Sequence, residues 1–199
     1  MRQYLEMFKE LISIVIIAFI LAMLLRTFVI EGRVVPSGSM LPTIKVGDRL
    51  MVNKFIYSFK EPTRGDIVVF HPPEVLNSKH DYVKRLIALP GDKVEIKNSK
   101  LYINDKEVDE PYIAEPMLED FGPVIVPDNS LLVMGDNRNG SFDSRKWNAW
   151  LTQDRLVGKA FCIYWPLQHQ TLLQRQISLV TRSWASMTAG LAQLAEQRS

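Results

Sequence analysis

A long apolar run lies near the N-terminus of the chain. Residues 11–25 are fifteen positions long and contain a single polar residue, Ser13. A helix over this run would be about 22 Å long, which is short of a hydrocarbon core of about 30 Å. Residues 27–30 extend the run to about twenty residues if the charged end of Arg26 snorkels to the interface. The pattern therefore predicts a membrane anchor helix over about residues 9–30, in an N-terminal segment that ends at residue 30.

A cleaved leader is the competing interpretation of this segment. Leaders end in a cleavage site with small residues, whereas Arg26, Glu31 and Arg33 follow the apolar run here. We therefore favour an uncleaved anchor. The charges do not settle its orientation, since Arg2 and Lys9 before the run are balanced by the basic residues after it.

Beyond residue 31 the pattern changes to short apolar stretches separated by Gly and Pro, which is typical of strands. Strands are predicted over residues 48–57, 66–72, 82–89, 93–98, 100–104, 131–134 and 158–165. The unbroken apolar run 67–70 indicates a strand that is buried on both faces. We expect a mostly β domain over residues 31–168.

A small insert is predicted near residues 93–127. Asn98-Ser99 and Asn104-Asp105 separate apolar stretches within residues 93–108 and mark the tight turns of a meander. Residues 110–127 contain four prolines, and they are predicted to form a long loop rather than a regular element.

The tail over residues 169–199 has a different pattern. Its apolar residues recur at alternating spacings of four and three, which predicts one helical stripe. The stripe comprises Leu173, Ile177, Val180, Trp184, Met187, Leu191 and Leu194. Such an amphipathic helix would pack on its own domain, lie on a membrane surface or dock on a partner protein, and the pattern leaves these alternatives open.

Composition argues against several classes of function. Hydrophobic residues make up 47% of the 199, and the net charge is only +2 without a long basic run, which argues against nucleic-acid binding. The single cysteine, Cys162, excludes an intrachain disulfide and a cysteine-rich zinc site. The histidines, at positions 71, 80 and 169, show no metal-ligand spacing. We predict no metal and no cofactor.

Residues 34–43, VVPSGSMLPT, come soon after the apolar segment. Pro, Gly and Ser are common in linkers and turns, so a flexible linker is the simplest interpretation. The alternative is a reactive serine in a tight turn, which requires a base elsewhere in the chain.

A base for such a serine is a histidine or a neutral lysine. The histidines lie in predicted loops or at the start of the tail and make a poor triad. A lysine must have its pKa of about 10.4 lowered by several units, which requires burial in an apolar strand. Lys84, which follows Tyr82 and Val83 and precedes a further apolar run, meets this requirement. Lys54 in LMVNKFIY is a rival that spacing alone does not remove.

Five segments, taken in order, resemble the motif series of bacterial type I signal peptidases. They are PSGSMLPT, GDRLMVNKF, RGDIVVF, DYVKRLIALPGDKV and MGDNRNGSFDSRKW, which cover most of residues 34–147. Each segment alone is weakly specific, but their order behind an N-terminal apolar segment is highly specific. The resemblance implies a signal-peptidase-like antiparallel β catalytic domain on a transmembrane helix, and a serine endopeptidase activity.

The resemblance implies a catalytic role for individual residues. Ser39 is the expected nucleophile and Lys84 the expected general base. Ser37 is expected to contribute its hydroxyl to an oxyanion hole that the Ser39 N–H completes. Ser141 is expected to orient the lysine amine, for which a neutral partner is suited because a carboxylate would keep the amine charged.

Supporting and substrate-contacting residues are implied in the same way. Asp143 and Arg145 are expected to pair near the site, although the charged loop 136–145 would be a solvated turn on its pattern alone. The expected substrate pocket is lined by Val35, Met40, Ile44, Tyr82 and Val83. Its implied substrates are the signal peptides of exported preproteins, cut after small-x-small sites of the Ala-x-Ala type.

The resemblance also implies a location and leaves alternatives. A single-pass protein of the bacterial plasma membrane is expected, with the lipid bilayer as a partner and the catalytic domain on the extracytoplasmic side. A self-cleaving repressor with a Ser-Lys pair would be soluble, and the apolar segment argues against it. A catalytically inactive, membrane-anchored β-domain that serves as a binding or assembly module is the second alternative. The presence of both Ser39 and Lys84 argues against that module.

Overall fold

The computed structural model describes residues 2–24, 30–173 and 178–179. The chain starts with helix α1 (Arg2–Leu24), which occupies most of the predicted apolar segment. Each side chain over residues 6–23 is exposed, with Ile14 at 64% and Phe19 at 65%. Among the described residues, no helix has the combination of length and apolar character that is required to cross a membrane.

The rest of the described chain is mostly β. Its strands are β1 (Ile30–Val34), β2 (Arg49–Asn53), β3 (Ile67–Phe70), β4 (Tyr82–Ala88), β5 (Lys93–Lys97), β6 (Lys100–Ile103), β7 (Lys106–Asp109), β8 (Phe121–Ile125), β9 (Ser130–Met134), β10 (Leu151–Thr152), β11 (Leu156–Trp165), β12 (Thr171–Leu172) and β13 (Ser178–Leu179). The larger sheet has the order β1-β2-β11-β3-β4-β9-β10, with β12 added to β11. The smaller sheet has the order β13-β7-β6-β5-β8. The pairs are antiparallel, as expected.

Two hydrophobic clusters share β3, because successive side chains of a strand point to opposite faces. Val68 and Phe70 pack with strands β4 and β9 on one face. Ile67 and Val69 pack on the other face with residues of β2 and β11. Every residue of β3 and β9 is buried, which confirms the prediction from the unbroken apolar run 67–70.

The loop between β1 and β2 is fixed to the second of these clusters. Val35, Met40 and Ile44 are all buried in it, at 4%, 1% and 0% exposure. Val35 N–H also donates to the Asp48 carbonyl at 2.9 Å, and Ile44 N–H donates to the Met40 carbonyl at 2.9 Å. The segment VVPSGSMLPT is therefore an ordered loop, and the interpretation as a flexible linker is wrong.

The predicted strands are present, and so is the meander. Asn98, Ser99, Asn104 and Asp105 all have positive φ, between 50° and 64°, as tight hairpin turns between β5, β6 and β7 require. β2 ends at Asn53, four residues earlier than predicted.

Two sequence-based expectations were wrong, and a third lies mostly outside the described residues. The anchor helix was expected to reach residue 30, but Ile30 begins β1 and pairs with Asn53; residues 25–29 lie outside the described residues. The loop predicted over residues 110–127 contains β8, an edge strand of the smaller sheet, and this position tolerates Pro123 because one side of the strand needs no partner.

The helical stripe predicted for the tail is interrupted at Ser178–Leu179, which pairs with β7. The other residues of the stripe beyond Leu173 lie outside the described residues.

Candidate active site

Ser39 and Lys84 lie in direct contact. Ser39 sits in the loop after β1, and Lys84 is the third residue of β4. The Lys84 Nζ donates a hydrogen bond to the Ser39 Oγ at 2.6 Å, across a separation of 45 residues in the chain. Lys84 is only 5% exposed, so its amine meets the serine away from bulk water.

Burial lowers the pKa of Lys84 from 10.5 to about 8. Desolvation is the largest cause, since a buried amine loses the water that stabilises its charged form. The Asp143 carboxylate opposes this effect, Arg145 adds to it, and Asp136 opposes it more weakly. The amine can thus lose its proton near neutral pH, which is the property that a general base requires.

The rival lysine lies elsewhere. Lys54 is 37% exposed and its Nζ lies 3.4 Å from a carboxylate oxygen of Glu31. A lysine in this position lies at the protein surface, paired with an opposite charge, and is not desolvated by burial. Lys84, and not Lys54, has the environment of a base.

Ser37 lies beside the nucleophile candidate. Its Oγ donates to the Ser39 Oγ at 3.4 Å, so both hydroxyls are at the mouth of the same site. Gly38 separates the two serines along the chain and its carbonyl accepts a hydrogen bond from the Asn137 side chain at 3.1 Å. The Ser-Gly-Ser turn is therefore held from the loop after β9.

Ser141 is close to the site but does not make the predicted contact. It is 2% exposed, and no hydrogen bond joins it to Lys84 among the described residues. Its side chain instead packs against Gly135: a Cβ built on Gly135 would lie 2.6 Å from the Ser141 Cβ. The role of Ser141 in orienting the amine stays a prediction.

Asp143 and Arg145 form the expected pair. Arg145 donates to both oxygens of Asp143 at 2.8 Å and to the Arg138 carbonyl at 2.7 Å. The Gly135 N–H also donates to Asp143, at 3.0 Å. Burial alone would raise the pKa of Asp143, but the hydrogen bonds and charge of Arg145 outweigh it and the pKa is lowered. A charged Asp143 thus stays within electrostatic reach of Lys84.

Sequence reasoning missed a buried ion pair behind the catalytic candidates. Arg85, with 0% exposure, donates to the two oxygens of Asp136 at 2.8 and 2.6 Å. Thr43, from the nucleophile loop, donates to the same carboxylate at 2.6 Å. The Asn137 N–H donates to the Ser39 carbonyl at 3.1 Å. The interpretation of this charged loop as a solvated turn is wrong, because its partners come from distant parts of the chain.

A second buried pair extends this network to the smaller sheet. Arg138 donates to Glu110 at 2.6 Å and to the Gly135 carbonyl at 3.1 Å. The ring of Tyr112 lies over the Arg85 guanidinium, 3.9 Å away. Burial and the neighbouring Glu110 charge raise the pKa of Tyr112. For the first pair, Arg85 with Asp136, the sequence signal was the adjacent Lys-Arg pair of β4, since a second basic residue in a buried strand needs an acidic partner.

An open groove leads to the catalytic candidates. It has a volume of about 680 Å³ and contains both Ser39 and Lys84 on its surface. Of the predicted pocket residues, Val35, Met40, Tyr82 and Val83 line it. Ile44 does not, because it is buried in the cluster beneath the loop.

The walls of the groove present unpaired strand edges. β1 pairs with β2 and ends the order of the larger sheet. The pairing of β4 with β9 begins at Arg85, so residues 82–84 have no strand partner on that side among the described residues. An extended peptide can add to such edges by backbone hydrogen bonds.

The described residues contain no group of three or more side chains suited to hold a metal ion.

We expect the activity of this site to rise with pH. Only neutral Lys84 can accept the serine proton, so kcat/KM should increase about tenfold per pH unit below about pH 8 and level off above it. The measurement is kcat/KM of the detergent-solubilised chain between pH 5 and 10, by peptide cleavage. A midpoint near 6.5, as for histidine, or near 10.4, as for a free lysine, would contradict the assignment.

Gly135 is expected to be intolerant of a side chain. A Cβ there would overlap the Ser39 carbonyl oxygen and the Ser141 side chain. Gly135→Ala should therefore shift Ser39 and lower kcat/KM by about 100-fold, which is typical of a misplacement of about 1 Å. Gly32→Ala is the control, because its Cβ meets only the side chain of Tyr164, with the hydroxyl at 3.0 Å and two ring carbons at 3.7 Å. Equal activity of the two variants would show that the close approach of Gly135 is not needed.

Comparison with known proteins places this chain in a known protein family. The family described as "Signal peptidase, peptidase S26" matches residues 8–165. "Probable signal peptidase I-2" of Synechocystis sp. is 42% identical over 191 residues, which cover 92% of this chain and 85% of that protein. "Signal peptidase I S" of Bacillus subtilis is 43% identical over 163 residues, which cover 76% of this chain and 86% of that protein. A crystal structure of a signal peptidase I from Enterococcus faecalis aligns with a TM-score of 0.45 and 33% identity, over 50% of this chain and 97% of that one.

Proposed function

This chain belongs to the signal peptidase family, peptidase S26, and on that premise we propose that it is a serine endopeptidase that removes signal peptides from exported preproteins. Ser39 is the nucleophile and Lys84 the general base. The observation that carries this proposal is the 2.6 Å hydrogen bond from a buried lysine, with a pKa of about 8, to the serine hydroxyl.

The reaction starts with a proton transfer from Ser39 to neutral Lys84. The Ser39 Oγ attacks the scissile carbonyl, and the resulting tetrahedral intermediate collapses when the protonated Lys84 gives its proton to the leaving amine. The mature protein then departs and leaves an acyl-enzyme on Ser39. Water hydrolyses this ester, with Lys84 again as the base.

The developing oxyanion needs donors in a fixed position. The hydroxyl of Ser37 and the N–H of Ser39 are the groups that we assign to this task. The hydrogen bonds from Asn137 to the carbonyls of Gly38 and Ser39 support the assignment, since they hold the turn that carries both donors. This loop and Lys84 are held in position relative to each other by two ion pairs, Asp143 with Arg145 and Arg85 with Asp136.

The substrate is proposed to bind as an added strand between the two walls of the groove. The free edge at residues 82–84 ends at the catalytic lysine, so a peptide paired with it passes directly over Ser39. Val35, Met40, Tyr82 and Val83 supply apolar surface beneath the peptide. Shallow apolar surface of this kind suits small side chains at the first and third positions before the cut.

Attachment to a membrane is proposed through α1. Residues 11–23 are apolar except for Ser13, and their side chains are exposed on all sides of the helix. Exposed apolar surface of this extent is favourable in lipid rather than in water. The catalytic domain would lie on the extracytoplasmic face of a bacterial plasma membrane. The nucleophile is only nine residues beyond Ile30, so it stays near the bilayer, where the cleavage site of a signal peptide emerges.

Cleavage of a preprotein with an Ala-x-Ala site tests this function. The detergent-solubilised full chain should release the mature protein with the N-terminus that follows the second Ala, identified by mass spectrometry. Replacing the Ala before the cut with Leu should lower kcat/KM by about 100-fold, because the larger side chain cannot enter a small pocket.

A matched substrate serves as the control for this experiment. Leu at the second position before the cut, where the side chain is not selected for size, should be cleaved within a few-fold of the parent. Cleavage that is insensitive to size at the first position, or absent altogether, would count against a signal peptidase.

A further inference from the structure

An ion pair joins the two walls of the groove at the end that is distant from the catalytic pair. Arg33 lies on β1 and Asp81 immediately precedes β4. The Arg33 Nη2 lies 3.0 Å from the Asp81 Oδ2, and both residues line the groove. No step of the proposed mechanism uses this pair.

The position of the pair along the groove follows from the strand spacing. Asp81 is three residues before Lys84, and a strand rises about 3.3 Å per residue, so about 10 Å separate them along this wall. A peptide residue that pairs near Lys84 is the one at the cut. The peptide residue level with the ion pair is therefore the fourth from the cut, and the fifth side chain points to the opposite face because side chains alternate along an extended peptide.

The peptide part that lies there is the part before the cut. Arg33 is three residues beyond Ile30, at the side of the domain where the chain arrives from α1. The apolar core of a signal peptide precedes its cleavage site, and it occupies the membrane to which α1 is proposed to attach. The upstream half of the peptide must then point to the Arg33–Asp81 end.

The chemistry of the pair favours polar neighbours. The Arg33 Nη2 also contacts a Glu31 oxygen at 3.0 Å, and the Asp81 Oδ1 lies 2.5 Å from the His71 Nδ1. The Arg33 side chain is 35% exposed, so its charge is still partly hydrated. Asp81 is 15% exposed. An apolar side chain laid against these groups would exclude water and return no hydrogen bond, whereas a serine or asparagine can replace the lost water.

We propose that the Arg33–Asp81 pair is a specificity determinant that selects a polar residue at the fourth position before the cut and rejects an apolar one. It thereby sets the least distance between the apolar core of a signal peptide and its cleavage site. This inference rests on the proposed function of the groove.

The test uses two short soluble peptides with the same Ala-x-Ala site. One carries Ser at the fourth position before the cut and the other carries Leu there, and neither contains an apolar core that could add a membrane effect. The wild-type chain should cleave the Ser peptide with a kcat/KM at least about tenfold higher. The double variant Arg33→Leu with Asp81→Leu should reduce this ratio to about one, whereas Arg33→Gln with Asp81→Asn should keep most of it because its side chains remain polar.

Each outcome decides the proposal. Lys146→Leu with Glu119→Leu, which removes another pair of opposite charges (3.8 Å apart) outside the groove, should keep the wild-type ratio. Equal cleavage of both peptides by the wild type, or an unchanged ratio in the apolar double variant, would overturn the inference while the proposed function stands. Cleavage of neither peptide by the wild type would remove the function and this inference together. If the apolar variant does not fold, a wild-type ratio of one still overturns the inference.

Discussion

Replacing Lys84 with methionine is expected to abolish activity and to stabilise the fold. Without its base the site should lose about 10⁴-fold or more in kcat/KM, as serine proteases do when a member of the catalytic group is removed. Methionine keeps most of the apolar stem of lysine but carries no charge to be desolvated. The catalytic amine is thus held in the fold at a cost in stability.

The stability gain should depend on pH with a definite sign. The pKa of Lys84 is about 8 in the folded chain and 10.5 when exposed, so between these values the unfolded chain binds more protons and wild-type stability rises with pH. Below about pH 8 the whole penalty applies, and a shift of this size corresponds to roughly 3 kcal/mol. Lys84→Met should therefore be more stable than wild type by up to that amount at pH 6, and by little at pH 10.5.

Urea unfolding of the full chain in detergent, at pH 6 and near pH 10, measures this difference. Lys54→Met is the matched control, because Lys54 is 37% exposed and ion-paired at the surface. It should retain activity and show no such gain. A Lys84→Met variant that still cleaves, or whose stability gain is the same at both pH values, would refute the assignment of Lys84 as a buried base.

Ser39→Ala is expected to lower cleavage by about 10⁴-fold or more while the fold stays intact. The change removes the oxygen that accepts the Lys84 hydrogen bond and forms the acyl-enzyme. Ser37→Ala is the closest control, because it makes the same change two residues away. It should cost about 10²- to 10³-fold, the usual effect of losing one oxyanion donor.

The ratio of the cleavage rates of Ser39→Ala and Ser37→Ala shows which serine is the nucleophile and which is the oxyanion donor. Their hydroxyls are 3.4 Å apart, so distance alone does not separate a nucleophile from a donor. A preprotein cleavage assay in which Ser37→Ala loses all activity and Ser39→Ala retains about 1% would exchange their roles. The thermal unfolding transition of each variant shows whether a loss of activity is a loss of folding.

The sequence identified the catalytic candidates better than it identified their supports. Ser39 and Lys84 stand out because the order of their segments matches a known motif series, whereas a Ser-Gly-Ser turn or a lysine within an apolar strand is common by itself. Asp136 and Arg138 look like surface charges in a turn, yet both are buried. Their partners, Arg85 and Glu110, lie 51 and 28 residues earlier in the chain. The Lys-Arg pair of β4 indicates that Arg85 needs an acidic partner, but no local pattern identifies which residue it is.

The same limit applies to the fold. Strands β3, β4 and β9 were predictable because apolar runs of this length need burial whatever surrounds them. β8 was not, because Pro123 suggests a loop unless the strand lies at the edge of a sheet, and the edge is defined only by the neighbouring strands. Ile44 was expected in the substrate pocket, but the turn of its loop places it beneath the groove.

Residue types and their order along the chain are thus sufficient for the β class, for the apolar N-terminal helix and for the choice of Ser39 and Lys84. The β class and the helix depend on local periodicity, whereas the choice of Ser39 and Lys84 depends on the resemblance of their segments to the motif series of a known family. The lowered pKa of Lys84, the alignment of Ser37 with Ser39 and the charged end of the groove required the tertiary structure. Desolvation and charge pairing depend on which distant segments surround a group, and only the packed chain brings β1, β4 and the loop after β9 together.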